Sequence, residues 1–408
     1  MQEQYRVHTI FIGGGTPTCL PARCLIKIGT AIRESFDCTA LTEFSTEANP
    51  GTVTTEHIKA WQQMGINRVS LGLQSAQNRE LKMLGRIHSY EDFLQTYERI
   101  RQSGISNINI DVMAAIPEQT VESYRDTLEK VAALKPEHIS SYSLIVEPGT
   151  LFGNWEENGT LKRVDEDTDR RMYEWTGKYL QQMGYHRYEI SNYCQSGMEC
   201  KHNCVYWTGG EYLGLGVNAS SYLKGYRFRV PLSAKEYRLY VDRISGLSRK
   251  MDGVCADQIK GVSEKADSVC ANQIGGVSKK ADSVCANQIG GVSEKVDSAC
   301  ADQSDRLSSK DPDKPALDSA IQEMDELECV DRKAQMEEFM FLGLRMMEGV
   351  SEQEFYQRFG TPIMEVYGDV IMKYQRLGLI CRKSTGRVAL TEKGIDVSNS
   401  ILSDFLLS

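Results

Sequence analysis

Strand-length apolar runs at Val7 to Ile12, Leu41 to Thr46, Arg68 to Leu73, Asn107 to Met113 and His138 to Ile145 alternate with helical patterns, and this regular order most constrains the fold. The intervening segments Leu20 to Phe36, Thr55 to Met64, Tyr90 to Ser103 and Glu122 to Leu134 carry apolar residues at spacings of three and four, the mark of amphipathic helices. A strand, helix, strand series closes through right-handed crossovers, so the order predicts a parallel sheet or barrel with ligand groups at the carboxyl ends of its strands. The first strand is expected within seven residues of Met1, so no further βα unit is expected before it in this sequence.

Composition narrows the class. The 408 residues are 41% hydrophobic, enough for a real core in two domains or in one barrel with an appendage. A formal net charge of -9, from 47 Lys plus Arg against 56 Asp plus Glu, argues against nucleic acid as the main partner. Met1-Gln2-Glu3-Gln4 opens no apolar leader, and no run is long enough to span a bilayer. A cytoplasmic protein is therefore expected, with no integral membrane segment and only peripheral membrane contact left open. Its 12 cysteines are expected to be reduced thiols.

Beyond the alternating region, a helix is predicted over Glu166 to Met183, followed by the aromatic tract Tyr188 to Trp207 and the glycine-rich Gly209 to Gly216. From Gly246 the chain repeats with a period of 15, as in GVSEKADSVCANQIG followed by GVSKKADSVCANQIG, and Cys255, Cys270, Cys285 and Cys300 fall in register. Each of those cysteines lacks the local second ligand that a C-x2-C pair supplies, so the repeat reads as a low-complexity insertion and not as a metal array. Helices are then predicted over Met336 to Met347, Ser351 to Phe359 and Pro362 to Leu377, with a hairpin of Leu379 to Arg382 and Arg387 to Leu390 before a last helix from Thr391. Three helices and a β-wing are winged-helix-like, but Glu365 and Asp369 on the would-be reading helix favour a helical cap over a DNA reader. The expected domains are residues 1–245, 246–320 and 321–408.

Polar residues gather where the topology puts ligands. Gly13-Gly14-Gly15-Thr16-Pro17-Thr18 follows the first strand directly, and three glycines let main-chain groups approach a bound molecule closely. Glu47 and Gln74 end the second and third strands, and Asp111 lies within the fourth. A carboxylate on an apolar strand is costly unless paired, and Arg86 is one available partner. Such a set is suited to a small zwitterion bearing a ribose.

In order and spacing, GGGTPT, STEANP, RVSLGLQS, NINIDVMAAIPEQT, SYSLIVEPGT, YEISNY and the HNCVYW to YLGLG stretch resemble the radical S-adenosylmethionine proteins related to oxygen-independent coproporphyrinogen III oxidase. The resemblance covers residues 5–240 and 335–408. His202-Asn203 followed by Tyr206-Trp207 is closer to the HNxxYW motif of the heme-chaperone branch than to the oxidase branch. It implies an α/β fold, a partial (β/α)6 barrel lacking its first βα unit, with a helical, winged-helix-like carboxyl-terminal domain. It further implies S-adenosylmethionine at Gly14, Gly15, Thr16, Glu47, Gln74, Arg86 and Asp111, a [4Fe-4S] cluster, heme at His202, and heme-accepting proteins as partners in porphyrin metabolism.

The departures also bear on function. The C-x3-C-x2-C motif that holds the family's cluster is absent, and Cys19, Cys24 and Cys38 are too widely spaced to replace it. The chain is thus expected to be an amino-terminally truncated form, without cluster ligands and without reductive cleavage of the cofactor. No metal or catalytic residue is assigned; Cys194, Cys200 and Cys204 form a C-x5-C-x3-C whose soft-metal reading is set below that of inert buried thiols. Two other functions stay open: an active coproporphyrinogen III oxidase, and a winged-helix regulator on an inactive barrel.

Overall fold

The computed structural model describes residues 5–251 and 327–407. Beyond Met251 the fifteen-residue repeat lies outside the described residues. The described chain forms two compact units, one built on residues up to Cys204 with Met346–Glu348, the other on the remainder from Val205 onward.

In the first unit β1 (Thr9–Ile12), β2 (Glu43–Ala48), β3 (Arg68–Gln74), β4 (Asn107–Ala114) and β5 (His138–Ser143) are parallel neighbours in chain order. Helices α1 (Ala22–Ser35), α2 (Thr55–Met64), α4 (Tyr90–Gln102) and α5 (Val121–Ala133) make the crossovers, and a short α3 (Asn78–Met83) precedes α4. The five parallel strands are those the sequence pattern predicts. Their far edge carries something the pattern does not separate: after α6 (Leu151–Glu157) and α7 (Glu166–Gln182), β6 (His186–Glu189) and β7 (Asn192–Cys194) fold into a hairpin, with β7 antiparallel to β5. At four and three residues, these strands are too short to stand out within an aromatic tract. α8 (Lys201–Trp207) follows.

Pleating divides the sheet into unlike faces. Ile10, Phe44, Val69, Leu71, Leu73, Ile108, Ile110, Val112 and Ile139 point outward and join Trp61, Phe93, Leu128 and Val131 of the helices in the main core. Burying each such side chain stabilises the fold by about 1.5–3 kcal/mol. The opposite face carries Ser70, Asn109, Asp111, His138 and Ser140. Helix starts are set by local chemistry: the Thr54, Ser89 and Thr120 hydroxyls accept from the backbone N–H groups of His57, Asp92 and Ser123.

The second unit holds β8 (Ser220–Leu223), β9 (Tyr226–Arg229), α9 (Ala234–Met251), β10 (Glu328–Cys329), α10 (Arg332–Gly343), β11 (Val350–Ser351), α11 (Glu352–Phe359) and α12 (Ile363–Arg376). The wing follows as β12 (Ile380–Lys383) and β13 (Arg387–Leu390), which with β11 form a sheet ordered β11-β13-β12, and then α13 (Glu392–Asp396) and α14 (Ser398–Ser403). α10 begins four residues before the predicted Met336, because the Asp331 carboxylate accepts from the Ala334 N–H at 2.8 Å and caps it there. Phe339, Phe355, Phe359, Tyr367 and Phe405 form a run of edge-on and tilted ring contacts at the centre of this unit.

α13 packs against the wing through Gly394, where a Cβ would stand 1.9 Å from the Leu379 carbonyl oxygen. That carbonyl also accepts from the Thr391 N–H at 2.9 Å, so it cannot retreat without losing the bond. Gly394→Ala should destabilise this unit by about 2–3 kcal/mol, read as a lower midpoint in thermal or urea unfolding followed through its tyrosines.

Candidate functional site

At the carboxyl ends of β1 to β4 the chain opens. A Cβ on Gly13 would lie 2.5 Å from the Phe11 ring and 2.9 Å from the Glu47 carboxyl carbon, so a side chain here would force one or both to move. Gly14 adopts φ +87° and donates its N–H to Glu47 Oε2 at 3.2 Å. Gly15 has open space around its α-carbon, and Thr16 leads into the one-turn helix Pro17–Cys19. Gln74 ends β3 at φ +74° beside a register shift, a left-handed conformation costing about 1–3 kcal/mol for a residue with a side chain. Its Oε1 accepts from the Tyr142 hydroxyl at 3.3 Å.

Asp111 lies one layer deeper. Asn109 Nδ2 donates to its Oδ1 at 2.7 Å and Ser70 Oγ to its Oδ2 at 3.0 Å. Burial pushes its carboxyl above the usual range, against the downward pull of Asn109, Ser140, Ser70 and the Arg68 charge. The expected pairing with Arg86 takes another form: Asp111 is satisfied by neutral donors, while Arg86 faces it and Tyr142 at electrostatic range. Burial holds the Arg86 guanidinium below its ordinary value, and it has no hydrogen bond among the described residues. A guanidinium without a hydrogen bond among the described residues and a carboxyl raised by burial thus lie near each other.

From Asp111 a hydrogen-bonded chain runs to the other end of the sheet. His138 Nδ1 donates to Asn109 Oδ1 at 2.6 Å, Tyr188 donates its hydroxyl hydrogen to His138 Nε2 at 2.9 Å, and the Tyr188 oxygen accepts from the Cys200 N–H at 3.3 Å. Burial keeps His138 neutral, consistent with one ring nitrogen donating and the other accepting. Next to it, Glu43 accepts from the backbone N–H groups of Lys201 at 2.8 Å and His202 at 3.2 Å, and from the Cys200 thiol at 3.6 Å. A strand carboxylate thereby caps α8. Arg68, 2% exposed, lies between the two carboxylates; burial alone would lower it, but the fields of Cys200, Glu43 and Tyr188 carry it above its ordinary value.

This arrangement positions His202. Its Nδ1 lies 2.9 Å from Thr9 Oγ1, and its ring stacks on Phe11 at 5.2 Å and 23°. Burial lowers it to about 4, so the imidazole is neutral. Phe11 thus touches the His202 ring on one side and closes over Gly13 on the other.

Gly14, Gly15, Thr16, Glu47, Gln74, Arg86 and Asp111 therefore come to one end of the sheet, whereas His202 lies at the amino-terminal end of β1. Sequence reasoning missed Phe11, Glu43, Arg68, Asn109, His138, Tyr142 and Tyr188. For Glu43, Asn109, His138 and Tyr142 the signal was present as period-two alternation, since EFSTEA, NINIDVM and HISSYS place polar side chains on every second residue; Phe11, Arg68 and Tyr188 carried no such signal. Of the three cysteines at C-x5-C-x3-C, Cys200 turns to Glu43 while Cys194 lies against His186.

Residues 1–131 match the Radical SAM superfamily and residues 330–397 the HemN C-terminal domain. The heme chaperone HemW of Lactococcus lactis subsp. lactis (strain IL1403) is 32% identical over 405 residues, spanning 99% of this chain and 86% of the relative. That of Bacillus subtilis (strain 168) is 30% identical over 402 residues, spanning 98% and 85%. The solved structure of coproporphyrinogen III oxidase (HemN) from Escherichia coli, described as a radical SAM enzyme, covers 98% of this chain and 78% of its own at a TM-score of 0.68 and 17% identity, a likeness of fold.

Above the site, His88 is 4% exposed, with Nδ1 3.2 Å from Asn49 Oδ1 and Nε2 3.4 Å from the Leu73 carbonyl oxygen. Burial first, then the Arg86 charge, lower it to about 4. A histidine whose folded value lies below its unfolded one binds fewer protons when folded, so its contribution is complete above about pH 6.5 and is lost as pH falls toward 4. Stability should drop by about 1.4 kcal/mol per pH unit for this one proton. Urea midpoints measured from pH 7 to 4.5 should show a shallower acid limb in His88→Gln.

Proposed function

The chain belongs to the HemW-type radical SAM proteins, and from that premise we propose that it binds S-adenosylmethionine at the carboxyl ends of β1 to β4 and carries heme for delivery to acceptor proteins. The observation that carries the first half is the cradle at Gly13, where any side chain would have to displace Phe11 or Glu47. Close main-chain approach at Gly14, Gly15 and Thr16 suits the zwitterionic methionine end. Glu47, Gln74 and Asp111 supply acceptors for an ammonium and for hydroxyls, and Arg86 supplies a cation for a carboxylate. Bound next to an iron–sulfur cluster, S-adenosylmethionine is a source of radical chemistry.

The cluster is a different matter. The C-x3-C-x2-C that would supply its three thiolates is absent from the sequence; Cys19 is exposed, Cys200 donates to Glu43 and Cys194 lies against His186. On this reading the residues at the strand ends suit S-adenosylmethionine, while the described thiols do not reproduce the family's cluster motif.

For heme, α8 carries a neutral His202 whose Nδ1 lies 2.9 Å from Thr9 Oγ1; on this reading its imidazole would be the group that ligates the iron. Residues 1–245 act on this reading as barrel and heme-motif segment, 246–320 as an insertion and 321–408 as the helical domain.

Calorimetric titration with S-adenosylmethionine tests the cradle. Gly13→Val should abolish binding, and Asp111→Asn should weaken it about 10-fold or more while raising the melting temperature, because a carboxylate disfavoured in the empty site is removed. A fall in melting temperature with unchanged affinity would make Asp111 structural. Hemin titration followed at the Soret band should show weakened binding and an altered spectrum in His202→Ala. Identical spectra and affinities would remove His202 from the heme site.

A further inference from the structure

The hairpin at the edge of the first unit holds a group of side chains that neither ligand uses. His186 opens β6 and Cys194 closes β7, and the antiparallel register places them directly opposite each other. Cys194 is fully buried, and its Sγ points at His186 Nε2 from 3.6 Å. Glu199, in the loop entering α8, brings Oε1 to 2.9 Å from the same nitrogen. Three ligand atoms of three chemical types lie within 4.8 Å of one another.

We propose that His186 Nε2, Cys194 Sγ and Glu199 Oε1 form a binding site for zinc or a similar borderline-soft divalent cation. A tetrahedral zinc with Zn–S of about 2.3 Å and Zn–N of about 2.0–2.1 Å sets S and N about 3.6 Å apart, the spacing seen. The thiolate and carboxylate together carry two negative charges, which a dication neutralises. On binding, the Cys194 proton leaves to solvent, the imidazole proton sits on Nδ1, and Glu199 exchanges its hydrogen bond for a metal bond. The His186 and Glu199 side chains are 46% and 35% exposed, so the ion enters from solvent while the thiol forms the floor of the site.

A surface His–Glu pair would account for two of these residues at little energetic gain, but not for the buried thiol aimed at the shared nitrogen. Burial first, then the Glu199 charge, push that thiol up to about 12, a condition that a cation between them relieves. Two ligands are set by strand register, so the site is pre-formed. The third belongs to the loop running into the helix that carries His202, and an ion here would tie the sheet edge to that loop.

Full-length protein freed of metal with a chelator should take up one equivalent of Co2+ with a thiolate-to-cobalt charge-transfer band, and Zn2+ should displace it. His186→Ala and Cys194→Ser should each weaken this equivalent about 100-fold and remove the band, and Glu199→Gln should weaken it about 10-fold. The repeat cysteines contribute equally in every variant, and Cys329→Ser, altering an exposed thiol elsewhere, should behave as wild type. Zn2+ should also raise the melting temperature of wild type but not of His186→Ala, whose exposed side chain can be lost without disturbing the core. Equal stoichiometry and affinity in wild type, His186→Ala and Glu199→Gln would overturn the assignment, whether or not Cys194→Ser folds.

Discussion

Placing carboxylates on the inner face of a parallel sheet forces much else in the first unit. Asp111 and Glu43 are both shielded from bulk water, and each must find donors or leave a costly unpaired charge. Asp111 finds them in Asn109 and Ser70. Glu43 finds them in the first N–H groups of α8. The second solution is long-range, since it joins residues more than 150 positions apart and decides where the histidine-bearing helix begins.

Between these anchors the chain Asn109, His138, Tyr188, Cys200 is satisfied link by link, with each group donating once toward its neighbour. Such networks are cooperative, and a half-satisfied one is worse than none. Below Asp111 the polar groups from Asn109 to Cys200 are linked to one another; above it the Arg86 guanidinium faces Asp111 and Tyr142 without a hydrogen bond among the described residues, and Gln74 is held in a strained backbone conformation. Unmet polarity and local strain are concentrated where a ligand would resolve them.

Phe11 connects the two ends. Its ring bears on His202 and also overlies the position where a Gly13 side chain would project. One aromatic residue of the first strand therefore lies against both the glycine loop proposed to hold S-adenosylmethionine and the imidazole proposed to bind heme. The zinc site proposed at His186, Cys194 and Glu199 takes its third ligand from the loop running into α8. Three independent elements, a strand carboxylate, a strand aromatic and a hairpin, thus converge on one seven-residue helix.

The five parallel strands and their crossover helices were legible in the sequence because one face of every strand packs against helices, and that burial imprints periodicity on the residues. The glycine loop and the polar residues at strand ends were legible for a similar reason, since strand order alone brings carboxyl ends together. What the sequence could not determine was the pairing. Whether Asp111 meets Arg86 or Asn109, whether Cys200 belongs with Cys194 or with Glu43, and which glycine of three is crowded by Phe11 and Glu47 depend on distances set by sheet curvature and by the hairpin that closes its edge. Hydrogen bonds and steric contacts act over a few ångströms. Only the tertiary structure brings Glu43 to Lys201 and His186 to Cys194, and only there do the chemical roles of these residues appear.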